Sequence, residues 1–337
     1  MRRKISYLLF RDAYDAMTHE LLKQRQTFMG LFVYAIDGQQ HILPRTKDIV
    51  DKGFNGRALG KYKESYLPRG YLTHVYDVIN GVSRNFTFNP HLNEQADARL
   101  LLQGLEKNSL TIYDRLYFSV KMVVAHLEHG SYFLMRCRSN CHTAVVALLQ
   151  SKKKTATAMI GGRRIHFVKI RNFREKRHDV YATNLPDRFL SRQLILQLYR
   201  LRWEVETSFK ELTAITKSEQ WHSKSYNGLM QELYALMWLI NATKGLMKIG
   251  GALPLDPTKR VYRKANFKLV FNLLAQRLHE LWYRFRELIA WLGTLVKEST
   301  EKRKRCSRRY PRQLRKPASP YPYNNTEWTW DKAYELK

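Results

Sequence analysis

Gly30-Leu31-Phe32-Val33-Tyr34-Ala35-Ile36-Asp37-Gly38 is the stretch on which the reading of this chain turns. Six consecutive apolar residues, rich in aromatic and β-branched types, have the pattern of a buried strand. The run stops at an acid followed by glycine. That predicts a turn at Asp37-Gly38, with Gln39–Leu43 as a returning strand closed by Pro44. A second run, Ser109-Leu110-Thr111-Ile112-Tyr113-Asp114, has the same form. Both carboxylates are thereby expected at the carboxyl edge of central strands. An acid after a strand is also a common turn former, so neither specifies a site by itself.

Working outward, Leu9, Ala13, Met17 and Leu21 give residues 8–22 helical spacing. Residues 70–80 read as a strand, Asn80-Gly81 as a hairpin turn and residues 82–88 as its partner. Residues 93–105 read as a helix capped by Asn93, residues 119–127 as another helix, and residues 132–137 as a strand. From 150 to 182 the texture changes. A lysine run at 152–154 precedes strand-like segments at 157–160 and 165–170, separated by Gly161-Gly162, which predicts a small β insertion. Helices then dominate, over about 191–212, 229–247 and 267–296, and a basic, proline-containing tail follows from Glu301. This mixed order predicts an α/β fold with a central sheet flanked by helices.

The charge balance narrows the function. The 337 residues carry 59 Lys+Arg against 29 Asp+Glu, a formal net charge of +30. An enzyme of small metabolites has no use for such a self-repelling field, whereas a polyanionic partner neutralises it. No run reaches the roughly 18–20 apolar residues of a membrane span, and Ile5–Phe10 is too short for a secretory signal core. A cytoplasmic protein bound to nucleic acid, with no membrane partner, is the expectation. Cys137, Cys141 and Cys306 form no disulfide framework, and Cys137, Cys141 and His142 are too few and too awkwardly spaced for structural zinc.

The third acid comes from the predicted helix 191–212. At about 100° per residue, Leu194, Ile195, Leu198, Tyr199, Val205, Phe209 and Leu212 fall in one arc of roughly 140°. Arg202 and Glu206 fall inside that arc, while Glu204 and Glu211 fall on the opposite, surface-facing side. A carboxylate on a buried stripe must pair, neutralise or bind a cation. One reading is an internal Arg202–Glu206 pair, which their i,i+4 spacing permits. The other is a metal ligand, with Arg202 turned to a phosphate. Spacing does not choose between them. Three carboxylates would suit hard Mg²⁺ or Mn²⁺, and a two-metal site needs acids around ions roughly 4 Å apart.

Here the sequence resembles the DDE transposases of bacterial insertion sequences, in the group with a Tyr-x2-Arg-x3-Glu-x6-Lys signature on the last catalytic helix. Tyr199, Arg202 and Glu206 match its first three positions within Leu198-Tyr199-Arg200-Leu201-Arg202-Trp203-Glu204-Val205-Glu206. Ala35-Ile36-Asp37-Gly38, Tyr113-Asp114-Arg115-Leu116-Tyr117-Phe118, Asn93-Glu94 and Thr183-Asn184-Leu185 match the other conserved contexts in order, so the resemblance runs from about Leu31 to Met247. It implies a ribonuclease H-like core with a β-rich insertion before the last catalytic helix. It implies that Asp37, Asp114 and Glu206 are catalytic and bind two Mg²⁺ or Mn²⁺ ions, and that Tyr199 and Arg202 contact DNA. Arg115 and Lys210 are further DNA-binding candidates. The signature's lysine falls on Thr213, with Lys210 and Lys217 the nearest replacements, and only 36 residues precede Asp37, fewer than the family's usual end-binding region.

The expected organisation is an N-terminal helical segment at 1–30, standing where the family has its end-binding region, and a first part of the core at 31–149. The insertion at 150–182, the Glu206 part of the core at 183–248, C-terminal helices at 249–300 and a basic tail at 301–337 follow. The expected function is metal-dependent cleavage of transposon ends and strand transfer into target DNA, by a homodimer on double-stranded DNA in a bacterial nucleoid. The rivals are a catalytically impaired DNA-binding remnant and a metal-dependent nuclease without strand transfer.

Overall fold

The two acid-terminated runs lie side by side in the computed structural model, which describes residues 5–54, 68–172, 177–215, 221–256, 259 and 261–304. The predicted basic tail from 305, Lys217 and Cys306 fall outside the described residues. Helix α1 (Tyr7–Lys23) precedes strand β1 (Phe32–Ile42), and a short helix α2 (Lys47–Asp51) follows it. Strands β2 (Arg69–Asp77) and β3 (Val82–Asn89) form the expected hairpin. Next come α3 (Glu94–Leu102), β4 (Ser109–Tyr113), α4 (Val120–His129), β5 (Tyr132–Arg136) and α5 (Thr143–Gln150). The insertion supplies β6 (Thr155–Ile160), β7 (Arg163–Asn172) and β8 (Arg177–Thr183). Helices α6 (Arg192–Arg200), α7 (Trp203–Lys210) and α8 (Tyr226–Ile249) complete the segment carrying Glu206. A small ribbon, β9 (Val261–Lys264) with β10 (Glu301–Lys304), brackets α9 (Phe267–Gln276) and α10 (Phe285–Glu298).

Eight strands make one sheet in the order β3-β2-β1-β4-β5-β8-β7-β6. The first five have ribonuclease H-like order and direction. β1 is antiparallel to β2 and parallel to β4, and β5 is parallel to β4. The insertion does not stand apart: β8 pairs antiparallel with β5, and β7 and β6 extend the sheet outward.

Strand alternation explains why β1 is apolar throughout. Val33 and Ala35 face a core built with α6–α10, whereas Tyr34 and Ile36 face a second core built with α3, α4 and α5. Buried on both faces, such a strand has few positions for a polar side chain until it leaves the parallel pair.

Three expectations need correction. Gly38 is not a turn: β1 continues through it to Ile42, pairing with β2 as Asp37↔His74 and Gly38↔Thr73, and residues 39–42 prolong β1 instead of returning. The helix 191–212 is two helices, joined at Leu201 and Arg202 by tighter bonds in which Leu201, Arg202, Glu204 and Val205 amides donate three residues back. The long helix at 267–296 divides into α9 and α10 around a 3₁₀ turn at Leu278–Trp282.

Helix α1 is tied into the body by polar bonds far apart in sequence. The Asn241 side chain on α8 accepts from the Ser83 amide (2.9 Å) and donates to Thr18 Oγ1 (2.9 Å) and the Ser83 carbonyl (3.0 Å). The Tyr14 hydroxyl donates to the same carbonyl at 2.8 Å. Both Asn241 and Tyr14 are buried, so these bonds satisfy groups that water cannot reach.

Candidate active site

The crevice forms where β1 and β4 part. Their parallel pairing ends at Ala35↔Ile112, and each strand then delivers an acid, Asp37 two residues later and Asp114 two residues later. Such openings at the carboxyl ends of parallel strands are where α/β sheets receive ligands. By alternation Asp37 shares the face of Val33 and Ala35, the face covered by α7.

From the turn that opens that helix, Arg202 reaches Asp37 and Glu206. Its Nη1 donates to Asp37 Oδ2 at 3.4 Å, across 165 residues of sequence, and its Nη2 donates to Glu206 Oε1 at 2.5 Å. Thus the structure contains the internal Arg202–Glu206 pair and sets it against Asp37. The tight turn at 201–202 keeps Arg202 on the buried side, where it is 9% exposed. One donor, Arg202 Nε, is buried without a partner.

Burial pushes the Asp37 carboxyl up from 3.8 to about 6. The Gly38 amide and Arg202 oppose that shift, and Asp114 and Glu94 reinforce it. Arg202 is itself held above its ordinary value: burial disfavours its charge, but Tyr199, Glu206 and Asp37 outweigh it. Asp114 is anchored at its own loop, its Oδ1 accepting from the Leu116 amide at 2.6 Å.

A fourth acid, Glu94, belongs to this cluster and was not among the residues that sequence reasoning selected. It opens α3, whose cap Asn93 accepts from the Ala96 amide. A Cβ on Gly38 would lie 2.7 Å from the Glu94 carboxyl, so glycine gives this side chain its room beside β1. Burial raises the Glu94 pKa, with Asp114 adding to the rise and the Tyr117 hydroxyl opposing it. Neighbouring Gln95 locks the Asp114 loop, donating to the Leu116 carbonyl (2.7 Å) and accepting from Ser119 Oγ (3.0 Å). The Asn93-Glu94 pair was visible in the sequence; the gap that admits it was not.

Tyr199 lies on the same side, its ring packed edge-on to Tyr181 with centroids 4.9 Å apart. Burial raises its hydroxyl to about 12. Arg115 and Lys210 are exposed, Arg115 directly after Asp114 and Lys210 on α7. Thr213 turns its hydroxyl back onto the Phe209 carbonyl at 2.9 Å. Trp203, 56% exposed, flanks Arg202, whose guanidinium lies 5.3 Å from its ring. Trp203 is left largely outside the core. Glu211 departs from expectation. It is buried and paired with Lys244 at 2.7 Å, because the tight turn at 201–202 and the π-helical turn at Glu211–Ile215 shift the 100° phase on which its surface placement rested.

The donor set is all oxygen, as a hard divalent cation requires. Among the described residues, no three Asp, Glu, His or Cys side chains already enclose a point where an ion could sit. Arg202 stands between Asp37 and Glu206 instead. The chemistry of the side chains therefore fits divalent ions, while their present arrangement is closed by an internal cation. Among the described residues no helix is long and apolar enough to cross a membrane.

Comparison with known proteins bears on this geometry. The family model described as "Transposase DDE domain" matches residues 32–242, the span that contains Asp37, Asp114 and Glu206. A cryo-EM structure of a piggyBac transposase synaptic complex with hairpin DNA is similar at 14% identity with a TM-score of 0.45. The match covers 86% of this chain and 57% of that one. No curated protein matches.

Proposed function

The chain belongs to the transposase DDE-domain family, and from that premise we propose that it is a metal-dependent polynucleotidyl transferase of the insertion-sequence type. The observation that carries the reading is the junction made by Arg202, which gathers Asp37 and Glu206 beside the loop of Asp114. Asp37, Asp114 and Glu206 would hold two Mg²⁺ or Mn²⁺ ions. When bound, such ions activate the attacking water or 3′-hydroxyl and stabilise the leaving oxygen.

The chain's own residues prepare this chemistry. In the closed arrangement the single charge of Arg202 is shared by Asp37 and Glu206, offsetting part of the cost of burying both acids before any ligand arrives. Arg202 Nε, buried without a partner in the closed arrangement, is the donor that a phosphate oxygen would satisfy once Arg202 turns toward DNA. Tyr199 and exposed Trp203 flank it, where a sugar or an unstacked base can pack. Arg115 and Lys210 supply exposed positive charge on either side of the crevice. Water attacks the phosphodiester at the element's end, the O–P bond breaks, and a 3′-hydroxyl is released. That hydroxyl then attacks a target phosphodiester and displaces a new 3′-hydroxyl. Two ends must be joined, so a homodimer on double-stranded DNA, acting at the bacterial nucleoid in the cytoplasm, completes the proposal. The net charge of +30 supports the DNA partner.

One observation favours the rival, a DNA-binding remnant: Thr213 replaces the signature's cation and bonds back to its own helix. The deciding assay combines cleavage and strand transfer on the inverted repeats flanking the gene, with Mg²⁺ or Mn²⁺, beside Glu206→Ala. Metal-dependent nicking at the repeat ends, absent in the variant, is the expected result. DNA binding without nicking by either protein would establish the remnant.

A further inference from the structure

Strand β6 is the last strand of the sheet on the insertion side, and its ladder phase shows what it leaves unused. The Lys154 carbonyl accepts from the Lys169 amide at 2.8 Å, so these two form a hydrogen-bonded pair just ahead of the strand. The antiparallel register continues as Ala156↔Phe167, Ala158↔Ile165 and Ile160↔Arg163. In such a ladder the residues between those pairs turn their N–H and C=O groups the other way. Thr155, Thr157 and Met159 therefore aim their amides and carbonyls away from β7, and among the described residues no strand takes them. The opposite edge of the sheet is treated differently. On β3 the Ser83 amide donates to Asn241, and the Ser83 carbonyl accepts from Tyr14 and Asn241, so α1 and α8 cap that edge.

The bare edge reads Thr155-Ala156-Thr157-Ala158-Met159-Ile160, an uncharged run without proline or glycine in a chain of net charge +30. Ala156 and Ala158 pack toward the second core, which holds the strand in place. Met159 is 68% exposed. Cations bracket the run: Lys152, Lys153 and Lys154 precede it, and Arg163 and Arg164 follow the Gly161-Gly162 turn, all of them exposed.

This arrangement discriminates among occupants. A second copy pairing antiparallel through β6 would set the lysines of one chain beside Arg163 and Arg164 of the other, cation upon cation. DNA would meet outward carbonyls, acceptors that a phosphate cannot bond, along a stretch with no positive side chain. An extended peptide satisfies amides and carbonyls together, and acidic residues at its two ends would face the lysines and the arginines. Thr155 to Met159 spans about 14 Å at roughly 3.4 Å per residue, which sets an uncharged middle of about five residues.

We propose that β6 is a docking edge, to which a partner protein adds an extended segment with an uncharged, β-forming middle and acidic residues at both ends. Docking of this kind is independent of the proposed DNA chemistry.

The test titrates the full chain into a fluorescein-labelled peptide, Glu-Glu-Thr-Val-Thr-Val-Thr-Glu-Glu, and follows anisotropy at about 50 mM NaCl, where charge pairing is weakly screened. Saturable binding is expected. Replacing the central Val-Thr-Val by three prolines keeps the charge but removes the donors, and should weaken binding about tenfold or more. Thr157→Pro sacrifices only an outward amide, the position where an edge strand tolerates proline, and should weaken the acidic peptide about tenfold while duplex DNA affinity stays within about twofold. Lys153→Glu with Lys154→Glu should cost the peptide about tenfold as well. Should Thr157→Pro fail to fold, the proline peptide asks the same question of the unaltered protein. Equal affinity for the valine and proline peptides would overturn strand pairing in favour of charge alone. No binding of the acidic peptide would mean that the cations merely guard the edge, and would also overturn the proposal. Two further results would do so: a dimer in sedimentation that Thr157→Pro abolishes, which gives the edge to a second copy, or a loss of duplex affinity equal to that of the peptide, which gives it to DNA.

Discussion

Replacing Asp37 by asparagine should make the folded protein more stable while removing a proposed metal ligand. The Asp37 carboxyl rises from 3.8 to about 6 on folding, chiefly through burial. At 1.36 kcal/mol per pH unit, that difference corresponds to about 3 kcal/mol. The sign follows from linkage. Between pH 3.8 and 6 the folded state binds more protons here than the unfolded state, so stability falls as pH rises through this window and stays low above it. Asparagine imitates the protonated acid and escapes the loss. The Arg202 contact at 3.4 Å is already contained in the figure, because it opposes the rise. The expected gain for Asp37→Asn is therefore about 3 kcal/mol at pH 7, roughly 4 °C in melting temperature for a chain of this size. Urea titrations of both proteins from pH 4.5 to 8 would show the gap opening with pH and levelling above 6. Mn²⁺ should raise the melting temperature of the wild type and leave the variant unmoved. A variant less stable than wild type at pH 7, or a gap the same size at pH 4.5 and pH 7, would refute the argument that this carboxylate is held at a cost.

Other expectations follow from the same packing. Lys244→Met leaves Glu211 buried and unpaired and should cost about 3–5 kcal/mol in denaturant titrations, whereas adding Glu211→Leu should restore most of it. Gly38→Ala places a methyl 2.7 Å from the flexible Glu94 carboxyl. The fold should hold within about 1 kcal/mol, with the concentration of Mn²⁺ needed for half-maximal nicking raised several-fold. An unchanged metal dependence would detach Glu94 from the site. Asn241→Leu strips the Ser83 amide and Thr18 of their buried partner. A loss of about 2–3 kcal/mol is expected, with α1 becoming the first segment cut in limited proteolysis.

How much of this was legible beforehand depends on the kind of information each feature needs. The strands that lead into Asp37 and Asp114, the Asn93 cap and the inward turn of Arg202 and Glu206 rest on local period and local chemistry, and the sequence carries both. Gly38 was misread because glycine has two uses. Here it supplies clearance for a side chain 56 residues away, not a turn, and clearance has no local signature. Glu211 was misplaced because a 3.6-residue wheel assumes one continuous helix; the tight turn at 201–202 and the π turn break the phase. The joining of β8 to β5 was equally hidden, since strand pattern shows that a segment is extended but not which edge it will meet. Glu94 needed both the clearance and the neighbouring strand before it could be seen as part of the acidic cluster.

The seal between Asn241 and Ser83 also sets the order in which this protein can be made. Synthesis proceeds at about 5–20 residues per second, so the 158 residues that separate the two take roughly 10–30 s to appear. During that interval the β2–β3 hairpin has emerged, but α8, which covers one face of the sheet and anchors α1, has not. Glu206 emerges before that cover, so the third proposed acid exists for some seconds on a chain that still lacks α8 over that face. An interrupted product ending ahead of α8 would present an apolar sheet face to chaperones and proteases. The proposed DNA chemistry is in this way conditional on reading almost the whole of the core.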